Sequence, residues 1–174
     1  MDTKLTVKEI QEAIVANYGL QNNTFVPNIS WGYFKTHEAD LLCISKAGYL
    51  TEFEIKRSYS DFLADFKKTT THFEGKVIQL FYVVPESIWE KCWKHIEEFD
   101  FPEPYNKEHN FETPPVGLMV YDENGVIWTK VGAPKLSHYT TSYEKEYKLF
   151  LEEINTLLRL GCMRLWPTKS LKIK

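Results

Sequence analysis

The run Val77–Val84, VIQLFYVV, sets the tightest limit on what this chain folds into. Seven of its eight residues are apolar. Such a run predicts a strand buried on both faces. A sheet covered on both sides needs helices on both sides, so the chain reads as α/β. Helical patterns lie before and after the run. Thr6-Val-Lys-Glu9 has capping-box spacing, Val7, Ile10, Ile14 and Tyr18 follow as an apolar stripe, and Gly19 is a stop. Ser58–Lys68 places Phe62, Leu63 and Phe66 on one face. Pro85 opens a helix over Glu86–Glu98 through Ile88, Trp89, Cys92 and Ile96. A last helix over 142–160 has a capping box at Thr141–Glu144. It is expected to bury Phe150, Leu151, Ile154, Leu157 and Leu158 and to stop at Gly161.

Shorter apolar runs supply the other strands. Asp40–Ser45 and Tyr49–Lys56 flank a turn at Lys46–Gly48, and Val116–Tyr121 and Val126–Val131 flank Asn124-Gly125. Thr24–Ser30 is β-rich but broken by Pro27, which predicts a loop or an edge strand. At 174 residues the chain is expected to be one domain over 1–174. Its core would span about 6–135, followed by the helix and a basic tail over 165–174. No apolar run reaches the roughly 20 residues of a membrane span. The N-terminus shows no signal-peptide pattern. Cys43, Cys92 and Cys162 match no zinc or redox spacing, which predicts reduced thiols in a cytoplasmic protein.

The chemistry concentrates between His37 and Lys56. Side chains alternate along a strand, so Glu54 and Lys56 share a face while Phe53 and Ile55 take the other. Asp40 and Glu54 lie at equal offsets from Ala47, at the centre of the hairpin turn. Equal offsets put them opposite each other on one face. Two carboxylates and an amine together suit metal-assisted phosphodiester hydrolysis. Oxygen ligands hold Mg²⁺, which lowers the pKa of a bound water, and the lysine orients or helps deprotonate that water or stabilises charge on phosphorus. The alternative is an i,i+2 ion pair on a solvent-facing strand. Glu38 and Glu52 share the same parity and read as rim acids, with a share in a second metal as the alternative.

The pattern Asp40 … Glu54-Ile55-Lys56 resembles that of the PD-(D/E)xK nuclease superfamily. The longer stretch EADLLCISKAGYLTEFEIKRSYSDFLADFKK, then FYVVPE and VGLMVYDENGVI, is similar to the MmcB-like DNA repair proteins within it. The resemblance covers roughly residues 6–135. It implies a restriction-endonuclease-like fold, a mixed central sheet flanked by helices on both faces. It implies Mg²⁺, replaceable by Mn²⁺, on Asp40, Glu54 and the Ile55 carbonyl, with Lys56 catalytic and DNA as substrate, in repair or phage-related DNA processing. Many members add a glutamate from the first helix. Glu9 serves the capping box, which leaves Glu12, although Glu12 lies opposite the apolar stripe. Ala39 stands where the pattern's proline would be.

Net charge is −3, which disfavours coating nucleic acid through bulk charge. Residues 56–76 are locally basic, and Arg57, Lys67, Lys68 and Lys76 are candidate phosphate contacts or ordinary surface charges. Trp31 and Tyr33 are candidates to stack on bases; Tyr59, Phe62, Phe66, Phe73 and Tyr82 read mostly as core. His37, His72, His95, His109 and His138 show no zinc spacing. His37 reads as a surface residue or a contact to a substrate phosphate. The alternative to a nuclease is a non-catalytic nucleic-acid-binding or protein-interaction module on the same fold, and a homodimer or a partner protein suits either.

Overall fold

The structure, a computed structural model, describes residues 4–29, 37–68, 72, 76–101, 113–136 and 148–165. Its elements run α1 (Val7–Tyr18), β1 (Asn23–Ile29), β2 (Ala39–Ser45), β3 (Leu50–Ile55), α2 (Tyr59–Asp65) and β4 (Val77–Pro85). A 3-10 turn (Glu86–Ile88) then leads into α3 (Trp89–Glu98), β5 (Gly117–Tyr121), β6 (Ile127–Val131) and α4 (Leu151–Leu165). The strands form one six-stranded mixed sheet in chain order. β1, β2 and β3 are an antiparallel meander, β4 and β5 each add in parallel, and β6 closes antiparallel. The parallel steps are the ones that α2 and α3 bridge, because a parallel neighbour needs a crossover.

β4 is buried on both faces, as its composition requires. Leu80, Tyr82 and Val84 join Leu42, Ile44, Leu118 and Val120 beneath Phe62 of α2, Cys92 and Ile96 of α3 and Leu157 of α4. Phe81 and Val83 join Leu41, Cys43, Phe53, Ile55 and Met119 beneath Ile10 and Ile14 of α1. The period-two alternation of the strands thus divides the interior into two cores. The α1 capping box is present: Glu9 N–H donates to Thr6 Oγ1 at 3.2 Å and Thr6 N–H to Glu9 Oε2 at 2.7 Å. Pro27 sits in β1, an edge strand, where its missing N–H costs least. Gly48 has φ +84° in the β2–β3 turn, a conformation that favours glycine.

The last helix differs from expectation. Phe150, Leu151 and Leu158 are exposed, Leu149 is buried just before the helix, and the inward face of the helix is Ile154, Leu157 and Leu160. The helix runs through Gly161 to Leu165. A Cβ on Gly161 would stand 2.9 Å from Val26 Cγ1, so this glycine permits close approach to β1 and does not end the helix. The expected start near 142 with its capping box, and the tail beyond 165, lie outside the described residues. So do Trp31, Tyr33, Phe73, His109 and His138. No helix among the described residues is long and apolar enough to cross a membrane.

Candidate functional site

The rungs of the β2–β3 ladder run from Ile44↔Leu50 to Leu41↔Phe53, and the next step outward sets Asp40 opposite Glu54. The hairpin turn fixes this register, as the equal offsets predicted. Asp40 Oδ2 accepts from the Ile55 N–H at 2.8 Å, which ties the carboxylate across the strand pair. Gln11 of α1 reaches the same corner. Its buried amide donates to the Asp40 carbonyl at 2.7 Å and to Asn28 Oδ1 at 3.1 Å.

Glu54 and Lys56 point to the face covered by α2, and both are buried. Lys56 Nζ lies 3.0 Å from Glu54 Oε2 and 3.1 Å from Asp65 Oδ1. Asp65 also receives Lys68 Nζ at 2.6 Å, His72 Nε2 at 2.7 Å and the Tyr82 hydroxyl at 3.1 Å. The other His72 nitrogen, Nδ1, lies 3.0 Å from Glu52 Oε1, and His37 Nε2 lies 3.0 Å from that same oxygen. A chain of charge therefore runs His37–Glu52–His72–Asp65–Lys56–Glu54, with Asp40 at its margin.

Burial and pairing oppose each other along this chain. Burial pushes Glu54 up to about 8, only partly offset by His72 and Lys56. Burial also raises Asp40, against the Ile55 N–H and Lys56. For the other members pairing wins. Burial favours neutral Lys56, but Glu54 and Asp65 hold it above the usual lysine range. Burial opposes charge on His72 as well, yet hydrogen bonds to Asp65 and Glu52 carry it to about 10. Asp65 and Glu52 are held below the ordinary carboxylate range despite burial, chiefly by the histidines.

Glu54 rises from an ordinary 4.5 to about 8 and His72 from 6.5 to about 10, so the folded chain keeps protons the unfolded chain has released. The stability they carry is complete below each ordinary value and is lost as pH climbs through the folded one. In chelator, the thermal midpoint is expected to fall from pH 6.5 to 10, and His72→Gln to flatten the upper part of that fall. A midpoint that holds or rises across this window refutes the assignment.

Of the residues singled out in the sequence, Asp40, Glu54, Ile55 and Lys56 come together. Glu12 does not: its side chain is 65% exposed and pairs with Lys8 at 3.7 Å. Gln11 occupies the α1 position that touches the Asp40 corner. Lys76 donates to Glu153 Oε2 at 2.9 Å and to the Lys148 carbonyl, and stands over the Phe150 ring, so it braces β4 against α4. Lys68 is spent on Asp65, while Arg57 and Lys67 are exposed at the two ends of α2. His37 is not an ordinary surface histidine, since its side chain is 3% exposed. Glu52 is not a rim acid but is fully buried. Asp65, in the stretch that carries the family resemblance, and His72, a histidine without zinc spacing, are not among the predicted site residues. The available signal was Asp65 three residues after Phe62, on the inward face of α2.

No family model matches the chain, and no curated protein matches it. Among solved structures it is similar to a protein of unknown function from Silicibacter pomeroyi. The identity is 16% and the TM-score 0.54, over 98% of this chain and 97% of that one. The likeness shows a shared α/β fold.

Proposed function

We propose that this chain is a Mg²⁺-dependent nuclease of the PD-(D/E)xK type that hydrolyses DNA phosphodiesters. One observation carries the proposal: the hairpin register sets Asp40 opposite Glu54, with Lys56 two residues on and on the same side. The element order α1-β1-β2-β3-α2-β4 around a mixed sheet agrees with it. The donor set also suits a hard cation. The donors are oxygens, and Glu54 Oε1 is buried with no hydrogen-bond partner among the described residues.

Asp40, Glu54 and the Ile55 carbonyl would hold the ion. When bound, Mg²⁺ supplies an activated water and screens the phosphate oxygens. Lys56 acts as a cation. Glu54 and Asp65 keep its proton in place, so it stabilises charge developing on the phosphoryl oxygens and does not serve as a base. Asp65 fixes where that ammonium stands. Arg57 and Lys67 are the remaining contacts for the DNA backbone. Cys43, Cys92 and Cys162 are free thiols, which supports a cytoplasmic setting.

The test is cleavage of labelled single-stranded, duplex and branched DNA in Mg²⁺ and in Mn²⁺. Wild type is expected to cut one of these classes, and Lys56→Ala and Asp40→Ala to cut it roughly 100–1,000-fold more slowly. Cleavage that survives both substitutions overturns the proposal. A second reading rests on the closure of Lys56 by two carboxylates, which gives the buried ammonium a structural role without turnover. Binding of DNA without cleavage in either metal would establish that non-catalytic module.

A further inference from the structure

The half of the charge network away from Asp40 has no part in the proposed hydrolysis, yet its side chains are buried too. Glu52 is 0% exposed. Its Oε1 is approached at 3.0 Å by both His37 Nε2 and His72 Nδ1, and one ligand atom from each residue lies within 4.8 Å of the others. Its Oε2 is buried with no hydrogen-bond partner among the described residues. A buried carboxylate oxygen left in that state is costly, and a cation relieves the cost.

We propose that His37, Glu52 and His72 form a binding site for a divalent transition metal of the zinc class, separate from the Mg²⁺ site. Three observations converge. The ligand atoms are two imidazole nitrogens and a carboxylate oxygen, a set that suits zinc, cobalt or iron and not magnesium. The two histidine–carboxylate separations, 3.0 Å each, lie a few tenths of an ångström inside the roughly 3.3–3.6 Å edge of a tetrahedron whose metal–ligand bonds are about 2.0–2.2 Å, so a small outward shift of the imidazoles seats the ion. His72 also presents the arrangement that ligating histidines share, because its far nitrogen, Nε2, lies 2.7 Å from the Asp65 carboxylate. A proton held there leaves Nδ1 to exchange its own proton for the metal.

The site would also clamp three separate stretches of chain: the approach to β2 at His37, β3 at Glu52, and the α2–β4 connection at His72. The inference does not depend on the nuclease reading, since Asp40 and Lys56 are not ligands.

The experiment is titration of the chelator-stripped full chain with Co²⁺, followed in the visible spectrum. One equivalent is expected to give ligand-field bands with no thiolate charge-transfer band. Zn²⁺ should bleach these bands, and excess Mg²⁺ should leave them. His37→Gln and His72→Gln are each expected to weaken binding by at least about tenfold, and Asp65→Asn, which removes a positioning residue, by roughly 10–100-fold. Asp40→Asn should bind as wild type does. Absence of the bands, or their retention in both histidine variants, overturns the proposal. So does their loss in Asp40→Asn. Should a histidine variant not fold, X-ray absorption of the zinc-loaded wild type decides instead. Scattering from two imidazoles supports the site, and scattering from fewer overturns it.

Discussion

Asp65→Ala is expected to cost the fold about 3–5 kcal/mol at pH 7, measured by urea denaturation in chelator. Its carboxylate stands at the node of the network, where Lys56, Lys68, His72 and Tyr82 all meet it. Removing it leaves two buried cations with too little counter-charge and a buried phenol without its acceptor. Breaking such a pair from one side costs far more than the pair contributes when intact, because the surviving charge stays out of water. The four contacts are not equal. Lys68 makes the shortest, at 2.6 Å, but its side chain is 53% exposed, so water already serves it. Lys68→Ala is therefore expected to cost under about 1 kcal/mol. Asp65→Asn should fall between the two, because it keeps the shape and an acceptor but loses the charge. The Asp65→Ala penalty should also shrink toward pH 10, where wild-type His72 releases the proton that Asp65 helps to hold and the stability of that pair is lost. A cost below about 1 kcal/mol at pH 7 would mean that the network relaxes into solvent once opened.

The part of the site that the sequence makes legible is the part a hairpin encodes. Equal offsets about a short turn fix which residues stand opposite, so Asp40, Glu54 and Lys56 follow from counting. Glu52 is a harder case. Its parity is plain, but counting does not reveal that α2 and His72 cover that face. The strand YLTEFEIK reads equally as half-exposed and as fully buried, and only the tertiary neighbours decide. His72 arrives from a connection without periodicity, where a lone histidine carries no pattern. Asp65 was visible in principle, since it follows Phe62 by three residues and precedes Phe66 by one. An acid on an apolar helix face predicts a buried partner, but a count of local charge hides it among basic neighbours. The α4 helix fails for a different reason. Phe150, Leu151, Ile154, Leu157 and Leu158 make an apolar stripe too wide for one contact, and Gly161 fixes which side approaches β1. Gly161 signals close packing there, while the same residue type at position 19 does end its helix.

Phe53→Ala is expected to cost about 3–5 kcal/mol, or a fall of roughly 10 °C in the thermal midpoint. Phe53 is fully buried on β3, between the two carboxylates of the site but on the opposite face. Its ring meets Tyr18 edge-on at 5.2 Å and stacks on Phe81 at 5.8 Å, so it joins α1, β3 and β4 at one point. Alanine leaves a cavity there that three rigid elements cannot close. Phe53→Leu fills most of it and should cost roughly 1–2 kcal/mol. Leu151→Ala on α4 is the matching control. Leucine is as apolar as any core residue, but this one is 72% exposed, so its truncation should move stability by less than about 0.5 kcal/mol. A costly Leu151→Ala would mean that this face of α4 is buried in solution. The Phe53 variants also bear on function. Glu52 and Glu54 owe their burial to β3 lying flat between α1 and α2. Packing lost on the α1 side should therefore loosen carboxylates that Phe53 never touches. Phe53→Ala is accordingly expected to weaken Co²⁺ binding under conditions where the chain is still folded, and Phe53→Leu to preserve it. Equal affinity in the folded Phe53→Ala variant would show that the charge network holds its own geometry without support from the opposite core.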